Sequence, residues 1–155
     1  MAGKKLSSVR DYFDAVKWPS LVTVVLLMGV SLALYRVESL MKYKDQVNTA
    51  FWIFLLIVPF YVGFRLASRA GAGPLQGALA GALFGLVAGG LYYGLIAVGS
   101  FAGLFGEPAD ISTVDWSVLG TFLGKEVGNG IVKSAVMGAL GLLVGLFVSK
   151  MKEAE

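Results

Sequence analysis

Cysteine and histidine are both absent from the 155 residues. Their absence excludes disulfides, thiolate nucleophiles, histidine-ligated haem and histidine-based metal sites. Charge is scarce as well: Asp, Glu, Lys and Arg make up 15% of the chain, where a soluble domain carries about a quarter. Metal-ligand spacing, a G-x-S-x-G nucleophile elbow and a P-loop are all missing. "GAGPLQGALAG" is glycine-rich but lacks the Lys-Ser/Thr ending that holds phosphate and magnesium, and no strand precedes it. No catalytic, cofactor-binding or metal-binding residue is assigned, and the expectation is a protein that is not an enzyme. Asp11 and Asp14 are the closest pair of acids near the amino terminus. They fall on the polar face of an amphipathic segment and read as solvated.

What is present is apolar. Hydrophobic residues make up 57% of the chain and the mean hydropathy is +0.77. A single small domain has too little interior to hide that much apolar surface, so the bilayer is the expected solvent. The net charge is +3, and the basic residues flank the apolar runs. That is membrane-flanking bias, not the continuous basic stripe of a nucleic-acid binder.

Residues 1–18 are expected to hold an amphipathic surface helix. Val9, Tyr12, Phe13 and Val16 fall at i, i+3, i+4 and i+7, with Arg10, Asp11, Asp14 and Lys17 opposite. Ser8 and Asp11 have the spacing of a capping box. Trp18 and Pro19 are expected to end this helix. The basic start is separated from the first apolar run, and no small-residue cleavage site follows it, so the first span is expected to remain in the mature protein.

Residues 19–155 read as one transmembrane domain of four helices, with spans at about 19–36, 47–65, 75–105 and 130–150. The first helix is expected to run on toward Lys44. Pro59 is expected to kink the second, because proline removes a backbone hydrogen bond. Ser112 with Asp115 suggests another capping box and a helix start near Thr113. The short apolar stretch that follows, about 117–129, reads as re-entrant, interfacial or part of the fourth helix.

The fold class is therefore an all-α integral membrane protein. Its most specific pattern is glycine. Gly73, Gly77, Gly81, Gly85 and Gly89 recur at every fourth residue of the third span, and Gly138, Gly141 and Gly145 lie in the fourth. Positions four apart share one helix face, so these residues make grooves bare of side chains. Helices in lipid gain little from excluding one another hydrophobically, and small residues let their backbones approach closely. Glycine-zipper packing of the third and fourth helices is expected, within the chain or between subunits.

Ionisable residues within a span are candidate functional groups. Glu126, Asn129 and Lys133 fall at i, i+3 and i+7 and would form a polar stripe if the helix is continuous. Counted back from Lys150, about 20 residues of span end near Gly130. Lys133 then lies only about 4 Å inside, within reach of water for a lysine stem.

Lys4, Lys5, Arg10, Lys17, Arg65, Arg69, Lys150 and Lys152 fall on one side of this topology, against Arg36, Lys42, Lys44, Lys125 and Lys133 on the other. The positive-inside rule puts both termini in the cytoplasm. The expected function is a non-enzymatic membrane subunit or scaffold, joined through glycine-rich helices into a homo-oligomer or larger complex. Its expected partners are the lipid bilayer and further membrane subunits, not nucleic acid. The alternative is a small oligomeric channel or transporter with a polar vestibule at Glu126, Asn129 and Lys133.

Overall fold

The computed structural model describes residues 8–68 and 72–153. Within them the chain is all-helical: α1 (Val9–Arg36), α2 (Lys44–Leu66), α3 (Pro74–Phe101) and α4 (Trp116–Glu153), with short 3-10 segments at Glu38–Tyr43 and Ile111–Thr113. The basic residues Lys4, Lys5 and Arg69 lie outside the described residues. Three helices are long and apolar enough to cross a membrane: α1, α3 and α4. The apolar part described in α2, Trp52–Leu66, is shorter.

The amphipathic segment at the amino terminus is not a separate helix. It continues into the first span as the single 28-residue α1, with Pro19 inside. Proline forfeits the hydrogen bond its N–H would give to the Ala15 carbonyl, yet the helix carries on because its packing face runs straight through that point. Val16, Ser20, Thr23, Val24 and Leu27 are all buried, and a buried face stabilises a helix more than propensity does. Ser8 caps the start: its hydroxyl accepts the Asp11 N–H, and the Asp11 carboxylate accepts the Ser8 N–H at 3.1 Å. The expected apolar face is only partly covered. Val16 is fully buried and Tyr12 half-buried, whereas Val9 and Phe13 are exposed.

At the other end α1 does not run on toward Lys44. Val37 turns extended, and a 3-10 turn links directly to α2. Pro59 lies fully buried inside α2. The fourth helix is longer than expected. α4 has 38 residues, about 57 Å at 1.5 Å per residue. The stretch 117–129 belongs to it, neither re-entrant nor separate, and Gly128-Asn129-Gly130 does not interrupt it. The cap is also displaced. Asp115, not Ser112, precedes the helix, and its carboxylate accepts the N–H groups of Ser117 and Val118. Asp110 does the same for the short turn before it.

The helices alternate in direction. α3 packs chiefly on α4, α4 also packs on α2, and α1 packs on α3. Phe84 and Leu142 are fully buried at the centre. Large apolar side chains stay exposed on every helix, among them Val25, Ile57, Leu91 and Phe147. The apolar surface that lipid would cover thus surrounds the whole bundle.

Candidate functional site

Glycine sets the spacing of the helices around the site. A methyl group on Gly77 would meet Gly138 and Leu142, one on Gly81 would strike the Ser134 carbonyl, and one on Gly85 would meet Gly130 and Ile131. α3 and α4 therefore touch backbone to backbone and run antiparallel. The same test puts Gly138 against Gly77, Gly141 against the Phe60 carbonyl, and Gly145 against Phe64 and Ala67. α4 thus carries contact glycines on two faces, one toward α3 and one toward α2. Gly73 lies at the start of α3, close only to Gln76, and Gly89 is in ordinary contact with Val127.

Farther along the same two helices, other glycines meet nothing. Gly90 and Gly94 on α3 have open space where a side chain would be, as do Gly120, Gly124 and Gly128 on α4.

The polar candidates separate. Glu126 and Lys133 line one cavity of about 40 Å³, together with Leu27 of α1, Trp52 of α2, and Tyr92 and Tyr93 of α3. Asn129 is exposed and does not line it. The reason is angular: at 100° per residue Lys133 returns to within about 20° of Glu126, whereas Asn129 is turned about 60° away. Glu126 and Tyr93 share the cavity wall between α4 and α3. The Lys133 ammonium sits 4.2 Å from the centre of the Trp52 ring, where the electron-rich face attracts a cation. The Lys133 charge thus turns to an aromatic residue of another helix. Above them Ser31 and Tyr92 share a hydrogen bond of 2.9 Å that ties α1 to α3.

Sequence reasoning missed Trp52, Tyr92, Tyr93 and Ser31. One signal was available for the tyrosines: a hydroxyl within an apolar helix needs a polar partner when it is buried. The space has room for about three waters, since one water needs roughly 10–15 Å³ of such volume. It has no nucleophile beside a base, and no group of three metal-ligating side chains occurs among the described residues.

A second cavity, of about 320 Å³, opens between the start of α1 and the end of α2, lined in part by Asp14, Trp18, Tyr61 and Arg65. Asp14 is bonded to Lys17 at 2.7 Å. Comparison with protein-family models, with curated proteins and with solved structures finds no match for this chain.

Proposed function

We propose that this chain is a non-enzymatic integral membrane subunit. Its four helices span the bilayer, hold together by glycine-zipper packing, and join further copies or other membrane subunits. α2 counts as the fourth span in this reading: the uncharged stretch 47–64 within it has 18 residues, about 27 Å, close to the roughly 30 Å of hydrocarbon. Both termini then face the cytoplasm, with Lys17, Arg65 and Lys150 at that end.

The observation that carries the reading is the contrast between filled and open glycines. Gly77, Gly81, Gly85, Gly138, Gly141 and Gly145 lie against backbone or side chains of a neighbouring helix, while Gly120, Gly124 and Gly128 repeat the four-residue spacing and lie against nothing. A glycine in a helix costs up to about 1 kcal/mol relative to alanine, and close helix contact is the usual return for that cost in lipid. The open row on α4 is where another subunit would come to lie.

The two glycine classes separate in one experiment. Gly81→Leu should prevent the chain from folding, because a leucine there meets the α4 backbone. Gly124→Leu should leave the chain folded and lower its assembled mass, read by light scattering in mild detergent. An assembled mass unchanged in a folded Gly124→Leu chain would sink the proposal.

One observation favours a second reading, a small channel or transporter: Glu126 and Lys133 share a single cavity. Its small volume weighs against that reading.

A further inference from the structure

The larger cavity lies at the end of the bundle away from Glu126, and it is lined by groups of opposite charge. Arg65 and Asp14 face it together with Trp18, Tyr61 and Ser68. Its volume of about 320 Å³ falls within the range of small-molecule sites, roughly 300–1,000 Å³. The Arg65 guanidinium lies 5.9 Å from the centre of the Tyr61 ring, which supports it against one wall. Asp14 holds the Lys17 ammonium through one carboxylate oxygen, Oδ1. A carboxylate offers about four lone-pair sites on its two oxygens, so Asp14 has capacity for a further N–H donor.

We propose that this cavity binds the headgroup of an ethanolamine phospholipid, with the phosphate on Arg65 and the ammonium on Asp14. The guanidinium fork matches two phosphate oxygens at once. Asp14 selects among phospholipids. With Lys17 on one oxygen, it can still accept the N–H groups of an ethanolamine, and it finds no N–H on a choline.

The surroundings favour a lipid over a free phosphoethanolamine. Trp18 and Tyr61 are 65% and 53% exposed, in the manner of aromatic side chains at headgroup level. Beyond them along α1 and α2, Val22, Val25 and Ile57 expose an apolar surface suited to acyl chains. The inference rests on a membrane placement of the bundle and is independent of any assembly through the open glycines.

The test is native mass spectrometry of the full chain, released from mild detergent after incubation with equal amounts of three phospholipids. The lipids carry identical acyl chains and ethanolamine, choline or glycerol headgroups. The wild-type protein should retain the ethanolamine lipid several-fold over the other two. Arg65→Gln should lower retention of the ethanolamine and choline lipids together. Asp14→Asn should bring the ethanolamine and choline lipids to equal retention. Asp14 and Arg65 are both exposed, so these substitutions should spare the fold, and Glu126→Gln at the far end should change nothing. Equal retention of the three lipids by wild type, or a preference untouched by both substitutions, would overturn the proposal. Displacement of the lipid by soluble phosphoethanolamine at equal concentration would overturn its lipid component.

Discussion

Ser20 is fully buried, and its hydroxyl has no hydrogen-bond partner among the described residues. The hydroxyls of Thr23, Ser100, Thr121 and Ser149 each donate to the carbonyl four residues earlier in their own helices. Ser20 does not, and nothing in the structure explains the difference. An unsatisfied buried polar group costs about 1–3 kcal/mol. Ser20→Ala removes the hydroxyl and leaves a void of one oxygen, so the variant should be more stable than wild type by about 1 kcal/mol in denaturant unfolding from mild detergent. A loss of that size would mean the hydroxyl has a partner in the folded protein. Single residues also mark how far the sequence could be read. The Ser8–Asp11 cap was legible because a capping box is local: both partners lie within one turn. The neighbours of Glu126 and Lys133 were not, because Tyr93 and Trp52 come from other helices and no spacing rule links them.

Helix α4 shows how an element's start and its length are decided differently. Two Asp-x-Ser segments precede it, Asp110-Ile111-Ser112 and Asp115-Trp116-Ser117, and they are locally equivalent. Each aspartate accepts the hydroxyl and N–H of its serine, but only the second is followed by a long helix. A Ser-x-x-Asp pattern spanning both segments therefore drew the expected start to the wrong one. The length was hidden by Gly128 and Gly130, poor helix formers that tertiary packing overrides. The Ser117 hydroxyl, with the Val118 and Ser117 N–H groups, holds the Asp115 carboxyl below its ordinary range. The Ser112 hydroxyl and N–H do the same for Asp110. With the folded pKa below the unfolded one, each aspartate contributes stability at neutral pH that is lost as pH falls through the folded value. The carboxyl carbon of Asp115 should thus titrate below a free aspartate, which is near 3.9, in carbon NMR. The Ser117 and Val118 shifts should move toward coil over the same pH interval. Asp115→Ala should move them at neutral pH, and titration at the ordinary value would refute the cap's electrostatic role.

At the scale of the whole molecule, an all-helical chain with membrane-length apolar helices was legible from composition and run length alone. The assembly of the Glu126 cavity was not, since its lining comes from all four helices. A space of about 40 Å³ holds only a few waters. Purified protein in liposomes should therefore carry no ion flux above empty vesicles. Flux that disappears in Glu126→Gln or Lys133→Met would replace the subunit reading with the channel reading. The pairing of α3 with α4 has a consequence for how this chain can vary. Gly77 meets Gly138, Gly81 meets Ser134, and Gly85 meets Gly130, so each advance of four residues on one helix is matched by a retreat of four on the other. Deleting one residue within either stretch would rotate all later positions by about 100° and put Ala82 and Leu86 in the places of Gly81 and Gly85, or Leu142 and Leu146 in those of Gly141 and Gly145. Insertions and deletions are thus confined to the turn between these helices, residues 102–115, and within the paired stretches one helix can change its reading of the other only if both change together.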